Sequence, residues 1–244
     1  MAWATVLGIP AMVYVMSMTM LMFLVDEKPQ NPLLLVGAGL LTAGIYIFHR
    51  SSIQEIEPMQ CRHLLAIRHK RLLQPIAFIL FMSAVVVFGL HHPLATLLVF
   101  GSLAGIVVYG RKTLTKPLRT FLFLKPPAVG IAITLFAWAL NDFSNSVLTI
   151  VAFSFVCSAD AFVCDLADRE FDSATGCLTL AATFGDRWTW CVSGILYVIA
   201  AIEFQSTIGL LFLMLFPIPL FVTKWTRTAV DVRPFLVLLI AWSL

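Results

Sequence analysis

The chain has 244 residues, of which 60% are hydrophobic and 12% are charged. A soluble domain has about 45–50% apolar and about 25% charged residues. With a mean hydropathy of +0.96, so much apolar surface needs lipid to cover it, which excludes a soluble globule and predicts a protein embedded in a bilayer. The small net charge of +3 also excludes a disordered chain and a nucleic-acid-binding module. The five cysteines form no CxxC pair, so neither a zinc site nor a disulfide framework is expected.

The apolar runs predict about nine transmembrane helices, since a span needs about 20 apolar residues. In chain order the predicted spans are Trp3 to Val25, Leu33 to Phe48, Leu73 to Leu90, Leu94 to Tyr109, Pro126 to Leu140, Val147 to Cys164, Trp190 to Glu203, Thr207 to Val222 and Pro234 to Leu244. The last run is short for a full span. The predicted fold class is an all-α, polytopic membrane bundle that forms one domain over residues 1–244.

The basic residues fall on alternate connections between these spans. Fifteen of the 16 Lys and Arg residues follow the second, fourth, sixth and eighth spans, and only Lys28 lies on the other side. Positive residues mark the cytoplasmic side of a membrane protein. We therefore expect an integral multi-pass protein of the cell (inner) membrane with a cytoplasmic N-terminus.

Acidic residues concentrate at the cytoplasmic end of the sixth span. Five of the 13 lie within residues 160–172, in the stretch DAFVCDLADREFD. At about 100° per residue, Asp165, Asp168 and Asp172 fall within about 60° of one another on a helix. Carboxylates at this spacing repel each other, so a positive partner is expected. Mg²⁺ suits them, because it takes oxygen ligands and often bridges one or two carboxylates to phosphate oxygens.

Two neighbours of this trio have their own interpretation. Arg169 lies beside the arc and is expected to offset one of its charges. Asp160 lies inside the sixth span, where an ionisable residue is a functional candidate, but it faces away from the trio and is expected to pair with another helix or to line a cavity wall. A simpler alternative is that the whole stretch is a charged, solvated segment after a membrane helix.

The segment DLADREFDSATGCLTLAATFG, residues 165–185, resembles the second aspartate-rich motif of the UbiA superfamily of intramembrane prenyltransferases. The family pattern is DxxDxxxD followed by Gly, a Thr-Leu pair and a closing Phe-Gly or Leu-Gly. The matching residues here are Asp165, Asp168, Asp172, Gly176, Thr179, Leu180, Phe184 and Gly185. The segment RTFLFLKPPAVGIAITLFAWAL, residues 119–140, resembles the family's fifth helix, and Lys125 takes the place of a lysine that is expected to meet a diphosphate.

The first aspartate motif of the family is altered in this chain. A divergent family branch has YxxDRxxD at the end of the second helix, and the corresponding segment here is YIFHRSSIQEIEP. Tyr46 and Arg50 fit that pattern, whereas His49 and Ile53 stand where its aspartates would be. Glu57 lies one helical turn beyond Ile53, a spacing that would let it reach the same cavity. Because Mg²⁺ prefers oxygen to imidazole, half of a two-metal site is altered.

The resemblance implies transfer of an isoprenoid group from an allylic diphosphate to an aromatic or lipid-like acceptor, with Mg²⁺ as cofactor. It implies that Asp165, Asp168 and Asp172 hold the metal and act in catalysis with Lys125. Substrate contacts are expected from Tyr46, His49, Arg50 and Arg169. No nucleic acid is an expected partner, and the lipid bilayer is the surrounding medium.

Three other classes remain as alternatives. A non-catalytic relative would keep the fold and bind lipid or a partner protein without prenyl transfer. A CDP-alcohol phosphotransferase would need DGxxAR ahead of a DxxxD, and the chain does not contain DGxxAR. A transporter would fit the number of spans, although no repeated half of the kind seen in many transporters is visible.

Overall fold

A computed structural model describes residues 2–28, 31–52, 60–110, 121, 123–174, 176–204, 207–221 and 226–243. Over these ranges the chain consists of α-helices joined by turns and short irregular segments, with no β-strand. The all-α prediction is therefore confirmed. The chain divides into two compact units: unit 1 comprises Met1–Met16 and Pro29–Leu118, and unit 2 comprises Ser17–Lys28 and Arg119–Leu244. The prediction of a single domain stays a prediction.

Unit 1 is built around two long helices that pack against each other. Its helices are α1 (Ala2–Val6), the first half of α2 (Ile9–Val25), α3 (Pro32–Ser51), α4 (Cys61–Arg68), α5 (Lys70–His91) and α6 (Pro93–Gly110). Helix α3 begins where the side chain of Asn31 accepts a hydrogen bond of 3.0 Å from the amide of Leu33, and a proline at the first position favours the same start. Glycines let α3 and α5 approach closely, since a Cβ on Gly44 would lie 3.3 Å from the carbonyl oxygen of Ala77.

Unit 2 is built around α8. Its helices are the second half of α2, α7 (Lys125–Leu140), α8 (Val147–Ala174), α9 (Leu180–Phe184), α10 (Asp186–Phe204), α11 (Thr207–Leu215), α12 (Ile218–Phe221) and α13 (Thr226–Ser243). Helix α8 packs against α7, α9, α10 and α13, and α13 also packs against α11 and α12. Four helices pack against α8, and 56% of its most apolar 18-residue stretch is buried in protein.

Several helix boundaries differ from the predicted spans. The first span is broken at Gly8, whose φ of +72° is accessible to glycine. Helix α1 ends at Val6 before this break, and α2 begins at Ile9 after it. The eighth span is divided into α11 and α12 just before and after Pro217. Helix α13 starts at Thr226, eight residues before the predicted start at Pro234, and carries that proline inside it.

Four helices are long and apolar enough to cross a membrane, judged by length and composition over the described part of the chain: α3, α5, α8 and α10. Shorter apolar helices include α2, α7 and the segments that correspond to α6 and α11–α12. These helices make the chain a membrane protein, and the count of nine spans stays a prediction.

The turn between α7 and α8 is hydrogen-bonded to the end of α2. This turn lies at the opposite end of α8 from the three aspartates. Asn141 donates to the Asp26 carboxylate at 2.9 Å and to the side-chain oxygen of Asn145 at 2.8 Å, and its carbonyl accepts from Lys28 at 3.2 Å. Asn145 in turn donates to the carbonyl of Met22 at 3.2 Å. This polar network fixes the end of the α7–α8 pair within unit 2, so the two helices leave it in a set register.

Candidate functional site

The close approach of α7 to α8 positions the candidate site. A Cβ added to Gly130 would lie 2.7 Å from the backbone nitrogen of Ser158 and 2.9 Å from the carbonyl oxygen of Ser154. Any larger side chain at this point would push the helices apart. Five residues before Gly130, α7 begins with Lys125 followed by a proline, the residue type that favours a first helical turn.

Lys125 forms ion pairs with two carboxylates of α8. Its ammonium lies 2.7 Å from Oδ1 of Asp165 and 2.7 Å from Oδ2 of Asp172. Only 4% of the Asp165 side chain and 6% of the Asp172 side chain are exposed, against 17% for Lys125. Buried carboxylates need a cationic partner to remain ionised. The shared ammonium confirms that Asp165 and Asp172 lie on one face of α8 and that a positive group meets them there.

Asp168 binds a different cation. Its Oδ2 lies 2.5 Å from Nη1 of Arg227, near the start of α13, and the two side chains are 13% and 22% exposed. The three carboxylates therefore face two cations from two helices. Sequence reasoning treated Arg227 only as a basic residue of a connection, because α13 begins eight residues earlier than predicted.

The carboxylates also fit a hard metal ion in part. Oδ2 of Asp165 is buried and has no hydrogen-bond partner among the described residues. A carboxylate oxygen in that state is the kind of donor that Mg²⁺ prefers, and Mg²⁺ commonly uses one or two carboxylates together with phosphate oxygens. In the described ranges no three His, Cys, Asp or Glu side chains converge as a closed metal site. The fit therefore rests on Asp165 and on the chemistry of the donors.

The glycines and threonine that follow the aspartates have structural reasons to be where they are. Helix α8 ends at Ala174, and Gly176 follows with a φ of +72°, so the chain can reverse there and the amide of Cys177 can donate to the carbonyl of Asp172 at 2.8 Å. Thr179 caps α9 by accepting from the amide of Ala182 at 3.2 Å. Gly185, with a φ of +84°, separates α9 from α10. This turn holds the C-terminal end of α8 in place.

Arg169 does not offset the charge of the trio. Its Nη1 lies 2.9 Å from Oδ1 of Asp186 at the start of α10, and both side chains are about half exposed or more. The expected pairing within α8 is therefore corrected: the long side chain reaches a neighbouring helix at the surface, and Lys125 and Arg227 are the cations that pair with the trio. A substrate contact by Arg169 stays a prediction.

The residues of the altered first motif lie in unit 1. The guanidinium of Arg50 lies 4.8 Å from the centre of the Tyr46 ring, and Arg50 is 4% exposed. Tyr46 is packed against Gly8, where an added Cβ would lie 2.8 Å from the Cβ of Tyr46. His49 lies in the last turn of α3, half-buried. Ile53, Glu55 and Glu57 lie outside the described residues, so the predicted approach of Glu57 stays a prediction.

Asp160 is paired inside the helix bundle, as expected for an ionisable residue that faces away from the trio. It forms an ion pair with Arg233 of α13 and accepts a hydrogen bond from the hydroxyl of Tyr197 of α10. Arg233 is fully buried, lies 4.7 Å from the centre of the Tyr197 ring, and donates to the carbonyl of Phe216 at 3.3 Å. The sequence contained the signal in the form of two opposite charges beside apolar runs, but it did not indicate that they meet.

A solved structure with similar architecture is that of a UbiA homolog from Archaeoglobus fulgidus bound to DMAPP and Mg²⁺. The alignment covers 96% of this chain and 98% of that chain, with a TM-score of 0.61 and 12% sequence identity. The chain has a UbiA-like fold. At this identity the similarity establishes the architecture alone, which confirms the fold expected from the aspartate motif. Neither a protein-family model nor a curated protein matches the sequence.

Proposed function

We propose that this UbiA-like protein is an intramembrane prenyltransferase that binds an isoprenoid diphosphate at the carboxylates of α8 and transfers the prenyl group to an aromatic or lipid-like acceptor. The observation that carries the proposal is the shared ammonium of Lys125 between Asp165 and Asp172. It joins an acidic helical face to a cation at the end of apolar helices. The similar solved structure holds DMAPP and Mg²⁺, which are a ligand and an ion of the chemistry proposed here.

Breaking the bond between the prenyl carbon and the diphosphate oxygen leaves negative charge on the diphosphate. Preorganised cations lower the energy of that charge, and Lys125 is the residue we assign to this role. Mg²⁺ would be held by Asp165, with Asp168 and Asp172 as the further carboxylates, and would supply Lewis-acid stabilisation of the leaving diphosphate. From the family resemblance alone, Arg50, Tyr46 and His49 are proposed as further substrate contacts. The apolar helices would exclude water from the reactive prenyl carbon.

The proposed orientation places the carboxylate end of α8 and the N-terminus on the cytoplasmic side of the cell (inner) membrane. The charge distribution of the connections supports this orientation. A cytoplasmic diphosphate would then reach the site without crossing the bilayer. Labelling of the exposed Cys61, which lies in the basic connection after the second span, by a membrane-impermeant maleimide tests the orientation, since this thiol should react only when the cytoplasmic face is accessible.

The proposal is tested with the purified protein in nanodiscs. Geranyl diphosphate is supplied with and without Mg²⁺, and two quantities are measured: protection against thermal unfolding by a non-hydrolysable thio analogue, and release of pyrophosphate. We expect Mg²⁺-dependent protection that Asp165→Asn weakens at least about tenfold, because a charged ligand interaction contributes about 1.5–3 kcal/mol. Glu170→Gln is the matched control, because it removes an exposed carboxylate of the same helix.

A second candidate function is a catalytically impaired relative that binds lipid or a partner. Two observations favour it: His49 and Ile53 stand where the family has aspartates, and Lys125 and Arg227 already neutralise much of the trio. This candidate predicts neither pyrophosphate release nor protection with any allylic diphosphate, with or without Mg²⁺, and normal cellular function in Asp165→Asn. That set of results would reject prenyl transfer.

A further inference from the structure

Helix α13 meets α8 through two ion pairs at different levels. Arg233 pairs with Asp160, and Arg227, six residues earlier, pairs with Asp168, eight residues later on α8. Later residues of α8 therefore meet earlier residues of α13, so the helices run antiparallel and the two pairs form successive rungs. At about 1.5 Å per residue the rungs lie about 10 Å apart. A slip of one helix past the other by one turn would break both.

The two rungs have different surroundings. Arg233 is fully buried, and Tyr197 donates to the same Asp160 that Arg233 binds. Arg227, in contrast, has 22% of its side chain exposed, and its partner Asp168 is 13% exposed. The inner rung is thus enclosed by protein and fixes the register of the helices. The outer rung is open enough for its arginine to meet a ligand.

The outer rung also adjoins an acceptor that lacks a partner. Oδ2 of Asp165, three residues before Asp168, is buried without a hydrogen-bond partner in the described ranges. Asp165, Asp168 and Asp172 form one charged group with the two cations that pair with them, Lys125 and Arg227. A guanidinium that leaves a carboxylate for phosphate oxygens keeps charge-assisted hydrogen bonds and can form two at once. Arg227 is the second cation of this group, after Lys125, that has the chemistry to bind a diphosphate.

We infer that Arg227 is a diphosphate-binding residue that Asp168 holds in place when no ligand is bound, and that the enclosed Asp160–Arg233 pair sets its height on α13. This inference rests on the proposed function and adds a residue to it. Binding exchanges one partner of the guanidinium for another and forms no covalent bond. In the absence of metal, Asp168 therefore competes with the diphosphate for Arg227. With Mg²⁺ present, the carboxylate of Asp168 would instead help to hold the metal and so favour diphosphate binding.

The first test measures pyrophosphate binding by calorimetry on the purified protein in nanodiscs, with and without Mg²⁺. We expect Arg227→Gln to weaken binding about tenfold or more, and Arg227→Lys to recover part of the loss because it restores the charge but not the paired donors. Arg187→Gln is the matched control: it removes an exposed arginine at the start of α10 and should change affinity less than twofold.

The second test uses the competition itself. Without Mg²⁺, Asp168→Asn should tighten pyrophosphate binding several-fold, and the double variant Asp168→Asn/Arg227→Gln should lose that gain. With Mg²⁺, Asp168→Asn should weaken binding instead. Neither Asp168→Asn nor the double variant has a carboxylate at position 168, so neither leaves a buried carboxylate without its cation. The comparison between these two variants therefore does not depend on how well Arg227→Gln folds.

The possible failures are distinct. If wild-type protein binds neither pyrophosphate nor geranyl diphosphate, the proposed function is wrong, and this inference is overturned with it. Suppose instead that wild-type protein binds pyrophosphate, that Arg227→Gln binds it as tightly as wild type, and that the double variant binds it as tightly as Asp168→Asn. Only the role of Arg227 is then overturned. Tighter metal-free binding in Asp168→Asn that disappears without Arg227 supports it.

Discussion

Replacing Lys125 by methionine is the most direct perturbation of the candidate site. Methionine keeps the length and apolar stem of lysine but removes the ammonium that contacts Asp165 and Asp172. Both carboxylate oxygens lie 2.7 Å from the same nitrogen, so they are no more than twice that distance apart. Two negative charges about 5 Å apart repel by about 3 kcal/mol at an effective dielectric constant of about 20.

That repulsion is part of the cost of losing the cation, which is high because the two side chains are only 4% and 6% exposed. Removing one partner of a buried ion pair costs about 3–5 kcal/mol. We therefore expect Lys125→Met to lower the free energy of unfolding by about 3–5 kcal/mol in metal-free buffer, and Mg²⁺ to restore part of the loss if it replaces the ammonium. Titration with SDS in mixed micelles, followed by tryptophan fluorescence, measures this quantity.

Lys70→Met is the matched control, because Lys70 is an exposed lysine at the start of α5. Surface substitutions usually change stability by less than about 0.5 kcal/mol. If Lys125→Met unfolds at the same SDS fraction as both wild-type and Lys70→Met, the bridge does not hold the carboxylates together as described. A loss of stability that Mg²⁺ leaves unchanged would contradict a metal role for these carboxylates.

Two further predictions concern the packing around α8. Arg233→Met should lower the free energy of unfolding by about 3–5 kcal/mol, because it leaves Asp160 buried without its cation, and Asp160→Asn in the same chain should restore more than half of the loss; equal SDS-unfolding curves for the single and double variants would contradict this reasoning. Gly130→Ala should destabilise by about 1–3 kcal/mol, since its Cβ would meet the backbone of α8 at 2.7 Å. Gly194→Ala, whose Cβ meets only a phenylalanine ring edge at 3.5 Å, should instead raise the melting temperature.

The parts of the fold that follow from local patterns were predictable from the sequence. Helices α3 and α5 begin and end within about three residues of the predicted spans, because continuous apolar runs and an Asn-Pro start determine them locally. The helical arc that was calculated for the aspartates placed Asp165 and Asp172 on one face, and one ammonium bridges them. The long-range pairings were not predictable in the same way.

Arg227 and Arg233 illustrate the reason. Both were treated as markers of membrane orientation, since a basic residue near an apolar run is usually that. Their actual partners lie 59 and 73 residues earlier in the chain, and no periodicity in a single sequence connects positions so far apart. The start of α13 was also placed too late, because the charged residues Arg227, Asp231 and Arg233 lower the mean hydropathy of its first two turns. The charges of Arg227 and Arg233 are tolerated because they pair with Asp168 and Asp160 of α8.

The enclosed Asp160–Arg233 pair has a consequence for how the protein is made. A ribosome synthesises Asp160 73 residues before Arg233, so α8 must enter the membrane ahead of the arginine that compensates its aspartate. A carboxylate within an apolar helix costs about 2.5–3.5 kcal/mol during insertion. We therefore expect nascent α8 to remain beside the insertion machinery until α13 emerges, and a chain that is truncated after α12 to be degraded more rapidly than the complete one. We expect α13 to contribute in this way to the biogenesis of α8 as well as to its packing.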